Sequence, residues 1–169
     1  MQKIAILTRQ NHSGIGSTFL QKNFSKSEKN TIILVDQLPL RRAAVTEFLR
    51  EWAKENKISV IAFCPQSLNA VECFNSSLVM TIVNLGAESI FKYDSYYFIS
   101  RLIREIKKVP LVIFSDYNRY NEVLLVSNIG VRGLIPSNTD PDYALKALSF
   151  ILSGGVYFPL ESIRDHVVV

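Results

Sequence analysis

The sequence is poor in the residues that carry the most recognisable chemistry. Two cysteines, Cys64 and Cys73, are too few for a disulfide scaffold. A reduced, cytoplasmic setting is the simplest expectation for such a chain. The two histidines, His12 and His166, stand at opposite ends, so neither a His-based metal site nor a catalytic triad can be argued locally. No apolar run approaches the roughly 18 residues of a membrane span. The N-terminus lacks the apolar core and small-residue cleavage site of a signal peptide, and neither an internal repeat nor a low-complexity tract occurs. Acid is scarce at the start: residues 1–30 hold Lys3, Arg9, Lys22, Lys26 and Lys29 against Glu28 alone, which accounts for the whole net charge of +4. Residues 31–169 are neutral overall. A neutral body with a basic leader is a poor candidate for a nucleic-acid-binding core, which needs clustered Lys and Arg on the body itself.

What remains is an ordinary globular chain of 169 residues, 48% hydrophobic and 20% charged, long enough for one domain and an appendage. Residues 1–30 read as a basic extension: a short strand-like run (KIAILT), a loop and a polar linker. The Ser13–Thr18 stretch (SGIGST) has the glycines of a phosphate-binding turn but neither the P-loop ending nor a full dinucleotide fingerprint, so a plain loop is the better reading. From residue 31 the pattern turns regular. Five short apolar runs, at 31–35, 58–63, 78–85, 111–114 and 133–136, are of strand length and continuously hydrophobic, as strands buried on both faces are. Helical patterns separate them. One amphipathic helix is expected over 40–55, with Ala44, Phe48 or Leu49, and Trp52 facing inward and Arg41, Glu47, Arg50, Glu51 and Lys54 outward. One or two turns are expected over 68–74, then helices over 96–108, 121–128 and from Thr139 or Asp140 to Ser153, closed by Gly154-Gly155.

Five strand–helix units imply right-handed crossovers and a parallel sheet covered on both faces. In about 125 residues they fit a flavodoxin-like (CheY-like), doubly wound α/β sheet of order 2-1-3-4-5, preceded by an N-terminal strand or arm. Functional groups in such sheets lie beyond the C-terminal strand ends, which here are Asp36, Gln37, Asn84, Ser115, Asp116 and Ser137.

Two segments carry a resemblance. ILVDQLPLRRAAVTEFLREW (33–52) resembles the first strand and helix of response-regulator receiver domains. VPLVIFSDYNRYNEVLLVSNIGVRGLIPSNTDPDYALKALSFILSGGVYFP (109–159) resembles the second half of their NarL/LuxR-type subgroup, with GVRGLIPS and ALKALSFILSGGVYFP the most specific phrases. The resemblance covers residues 32–160. It implies a pocket in which two acids and a phosphoacceptor aspartate hold Mg²⁺, while a hydroxyl and a lysine contact the phosphoryl group. Carried over residue by residue, Asp36 keeps the first acidic position and Gln37 stands in the second. Asn84 takes the phosphoacceptor position, Ser115 keeps the hydroxyl position, and Ser137 replaces the lysine. Leu134 replaces the aromatic that, with Ser115, reports switching. An asparagine amide cannot form an aspartyl phosphate, one carboxylate is a poor Mg²⁺ cage, and no lysine remains to offset phosphoryl charge. The expectation is a degenerate pocket in which Asn84 hydrogen-bonds Asp36 or Ser115 and holds the domain in one state. Asp36 has an equally good reading as the cap of the following helix.

This resemblance implies a phosphorylation-independent receiver-like domain of a bacterial two-component-type transcriptional regulator: a pseudo-receiver, not an enzyme, with no cofactor and no metal. It would act by dimerisation to control a helix-turn-helix DNA-binding unit, attached beyond Val169 or separate, with no nucleic-acid or membrane contact of its own. One candidate dimer face comprises Asn121, Val126, Arg132, Tyr143, Lys146 and Phe150; the other, Arg41, Arg42, Val45 and Phe150. The tyrosines near 93–97 are expected mostly to pack helices. The alternative function is small-metabolite sensing in the degenerate pocket. A flavodoxin-like enzyme built on Gly14 and Gly16 is the weakest reading, because no nucleophile–base pair is visible. Residues 161–169 read as a tail or the start of a linker.

Overall fold

In the computed structural model, residues 30–66, 77–106 and 108–159 are described. β1 (Asn30–Asp36), β2 (Ile58–Phe63), β3 (Leu78–Gly86), β4 (Leu111–Ser115) and β5 (Gly133–Pro136) form one sheet in the order 2-1-3-4-5. Every pairing is parallel. The expected doubly wound sheet is therefore the observed one. The expected arm, the turns over 68–74 and the C-terminal tail lie outside the described residues.

The continuous apolar runs form strands because both sheet faces are covered. Alternate side chains serve two separate cores. Ile33, Val35, Val83, Ile113 and Leu134 pack under α3 (Tyr93–Ile106) and α4 (Tyr120–Asn128). Ile32, Leu34, Ile82, Val112 and Ile135 pack under α1 (Pro39–Phe48), α2 (Arg50–Glu55) and α5 (Pro141–Leu152).

The helix expected over 40–55 is divided at Leu49. Leu49 N still donates to Val45 O and Ala53 N to Leu49 O, so the path bends and is not broken. Thr46 Oγ1 donates to Arg42 O, a back-bond that bends helices. The bend turns Leu49, Trp52 and Ala53 inward, while Ala44, expected inside, is exposed. Trp52 Nε1 then reaches Ser149 Oγ at 2.8 Å and ties α2 to α5.

α3 begins at Tyr93, three residues before its expected start, and buries Ser95, Ile99, Leu102 and Ile106. Its first-turn tyrosines do not pack inward: Tyr93 and Tyr97 are exposed and stack on each other at 6.0 Å. α4 stops as expected at Gly130, whose φ of +98° suits only glycine, with Val131 N returning to Val126 O. Asp140, rather than Thr139, caps α5 by accepting from Asp142 N and Tyr143 N.

Lys57 follows α2 at φ +56°, a left-handed position that most side chains resist. Lys57→Gly is expected to raise unfolding stability by about 1 kcal/mol, measured as a higher urea midpoint with an unchanged slope.

Candidate functional site

The site grows out of strand register. Asp36 ends β1 and lies directly opposite Asn84 on β3. The alternation that sends Ile32 and Leu34 toward α1 and α5 sends Asp36 the same way, and Asn84 follows Ile82. Two polar side chains thus meet at the C-terminal edge of the sheet, directly above Leu34 and Ile82 on the same face.

Asp36 is fully buried, and a buried carboxylate is costly unless it is paired and hydrogen-bonded. The chain meets that demand with four donors. Leu38 N reaches Oδ1 at 2.8 Å, closing a turn that leads into α1. Arg41 clamps both oxygens, Nε to Oδ2 at 2.7 Å and Nη2 to Oδ1 at 2.9 Å. Asn84 Nδ2 reaches Oδ2 at 2.7 Å. The Asp36 backbone carbonyl accepts from Arg42 Nη1 at 2.6 Å. Arg41 and Arg42, part of one candidate dimer face, are thus hydrogen-bonded within the chain at this edge and remain partly exposed. Asn84 bonds Asp36, as expected; Asp36 closes a turn ahead of α1 but does not cap it, because Leu38 is the N-cap and the helix has no side-chain cap bond.

Arg41 is held from three sides. Its Nη2 also donates to Asn84 O at 3.1 Å, while Asn84 Oδ1 accepts from Gly86 N at 3.2 Å. Gly86 lies past a register shift between β3 and β4, at φ +55°. A Cβ on residue 86 would stand 1.9 Å from Arg41 Nη1. Glycine is required there twice, for the backbone angle and for the space the guanidinium fills.

The five residues expected in one pocket are distributed around two adjoining cavities at this edge, both lined by Arg41 and Asn84. The first, about 330 Å³, contains Asp36 and Gln37 with Glu88 and Asp94. The second, about 450 Å³, contains Ser137 with Gly86, Asp116 and Thr139, against apolar side chains of α1, β5 and α5. Ser115 lines neither; its Oγ accepts from Tyr117 N at 3.0 Å and so caps the turn after β4. Leu134 is a core residue beneath the site.

Val126, expected on a dimer face, is wholly buried beneath α4, because the register of that helix points it at the sheet. Asn121, Arg132, Tyr143, Lys146 and Phe150 are exposed.

The sequence reading also passed over Glu122. It is buried in the first turn of α4, and its Oε1 accepts from Ser89 Oγ at 3.0 Å, tying the loop after β3 to α4. An acid in a first helical turn is a recognisable signal. Arg41 had the converse signal: two adjacent arginines in a first turn with no acid there oppose the helix dipole, so they need an anion nearby.

The Mg²⁺ implied by the receiver resemblance does not fit this donor set. Mg²⁺ is held through free anionic oxygens. Both oxygens of Asp36 are engaged, Asn84 Oδ1 is taken by Gly86 N, and Gln37 is neutral and exposed. Among the described residues, no cluster of three His, Cys, Asp or Glu could hold a metal, and no helix is long and apolar enough to cross a membrane.

Solved structures share this architecture. The RcsB response regulator of Salmonella typhimurium superposes with a TM-score of 0.63 at 16% identity, over 82% of this chain and 67% of that one. A LuxR family DNA-binding response regulator from Silicibacter pomeroyi gives 0.63 at 20% identity, over 77% of this chain and 97% of that one. The fold is that of a receiver domain. A Burkholderia pseudomallei protein whose name relates it to pilus assembly gives 0.63 at 12% identity, over 82% of this chain and 100% of that one. No protein-family model matches the sequence, and no curated relative does. At such identities the likeness concerns the receiver fold, and the chemistry must be read from the residues.

Arg41→Ala would leave Asp36 buried beside a neutral amide. Expected destabilisation is about 3 kcal/mol, the low end of the range for broken buried pairs, because the Arg41 side chain is 29% exposed. Arg50→Ala, which removes only an exposed pair with Glu47, is expected to change stability by less than about 0.5 kcal/mol. Denaturant titrations of the two variants check the contrast.

Proposed function

We propose that the chain is a receiver-like signalling domain of a two-component-type transcriptional regulator that works without aspartyl phosphorylation. It acts by self-association to control a helix-turn-helix output, attached or separate, and makes no nucleic-acid or membrane contact of its own. The observation that carries this reading is the saturation of Asp36 by donors of the same chain. Phosphoryl transfer to such a domain needs a carboxylate nucleophile and cations that offset the charge on the transferred group. Asn84 offers an amide in place of the nucleophile, and the guanidinium that occupies the pocket is already neutralised by Asp36.

Association through α5 is supported by that helix's outer face. Tyr143, Lys146 and Phe150 recur at helical spacing and are exposed, with Lys146 over the Tyr143 ring. The Phe150 ring lies over Gly155, where a Cβ would come within 2.5 Å of it, and remains 56% exposed. Both faces considered from the sequence share Phe150. RcsB has been solved as dimers bound to DNA, and the same use of the fold is proposed here.

The decisive experiment is incubation with acetyl phosphate and Mg²⁺, read by intact mass. The expected result is unmodified protein, and a stoichiometric phosphoryl adduct overturns the reading. Sedimentation over a concentration range is expected to show a dimer that Phe150→Glu returns to monomer. A wild-type monomer at every concentration removes the association step.

A further inference from the structure

The bonds to Asp36 and to Asn84 O use Nε and Nη2 of the Arg41 guanidinium, while Nη1 has no hydrogen-bond partner among the described residues. Arg41 also lines the 450 Å³ cavity between α1 and the β5–α5 connection. That volume lies within the usual range of roughly 300–1,000 Å³ for small-molecule sites. Asp36 presets the guanidinium before any ligand arrives, and an ordered donor of this kind loses little freedom on binding.

The same cavity contains Asp116, whose carboxylate is exposed and unpaired among the described residues. Residue 86 links the two charges: Asp116 N donates to Gly86 O, and the Arg41 guanidinium lies against Gly86 through Nη1. Ser137 and Thr139 add hydroxyls, and Val45, Phe48 and Ile135 supply an apolar wall. A simple carboxylate would be drawn to Arg41 and repelled by Asp116. A simple amine would meet the converse. A small zwitterion with an apolar side chain satisfies both charges and the wall.

We propose that this cavity binds a free apolar amino acid, its carboxylate on Arg41 Nη1, its ammonium on Asp116, and its side chain between α1 and β5. The inference rests on the receiver reading only for the consequence of binding, which is to supply the input that phosphorylation supplies elsewhere. The site itself stands or falls separately.

The test is calorimetric titration and thermal shift of the full chain with L-leucine and two truncated analogues, 4-methylpentanoate and isopentylamine. Leucine is expected to bind saturably and raise Tm, and each analogue to bind about tenfold more weakly or worse. Asp116→Asn is expected to weaken leucine by a similar factor while leaving 4-methylpentanoate no weaker. Ala44→Trp, an exposed position on the cavity wall, is expected to abolish binding without loss of folding, checked by circular dichroism. Absence of leucine binding at 10 mM, equal binding of the two analogues and leucine, or unchanged binding by Ala44→Trp overturns the site. None of these outcomes bears on the acetyl phosphate result, so the two readings fail independently.

Discussion

A carboxylate with no solvent exposure at the end of a strand constrains everything around it. Asp36 must find donors for both oxygens inside the protein, because leaving it charged and unpartnered would be prohibitive. The donors come from three stretches of chain: the loop at Leu38, the first turn of α1 at Arg41, and β3 at Asn84. Satisfying the charge therefore fixes how α1 leaves the sheet and how β1 and β3 align at their ends. Arg41 in turn demands an open space at residue 86, which explains a glycine beyond a register shift. One buried charge accounts for a turn, a helix entry and a glycine.

Under the proposed function, the same interaction limits how the domain would signal. A two-state protein responds only to something that binds its two states unequally. In a pocket with free carboxylates, a metal ion and a phosphoryl group could provide that difference. Here the cation is covalently part of α1 and is present in every state of the chain. Its pairing with Asp36 biases the resting arrangement without any external input. On the proposed function, a change of state would come from a partner at the surface or from a ligand on Arg41 Nη1. The Ser89–Glu122 hydrogen bond adds to the restraint by tying the loop after β3 to the start of α4.

Much of the fold was legible because hydrophobic continuity reports burial on two faces. TIILV, ISVIAF and LVIF could only be strands of a covered sheet, and their separation by helical patterns implied parallel order. Helix details were less legible where side-chain demands override periodicity. Nothing in the pattern over 40–55 distinguished Ala44 from Leu49 as an inward residue, since the bend near Thr46 shifts which face meets the sheet. Val126 was mistaken for a surface residue because α4 is short and apolar on more than one side. At the site, Asp36 and Asn84 were legible as strand ends. Arg41 was not, because a charged residue on an amphipathic helix is ordinarily assigned to solvent. Its position in the first turn, against the helix dipole and five residues after a strand-terminal acid, was the overlooked clue.

Charge placement completes the argument. The basic pI of about 9.1 would ordinarily suggest a polyanion partner. Yet the net +4 falls within residues 1–30, and the remaining residues carry equal numbers of each sign. Within the receiver fold, Arg41 is committed to Asp36 and Arg42 to its backbone carbonyl, while Lys54, Lys92 and Arg101 lie beside Glu51, Glu88 and Glu105. Several of the cations that a composition count credits to the surface are thus partly neutralised where they stand. A phosphate backbone would find no continuous basic stripe among them. The groups left with incomplete partners are those the two proposals use: the aromatic face of α5 and Arg41 Nη1 opposite Asp116.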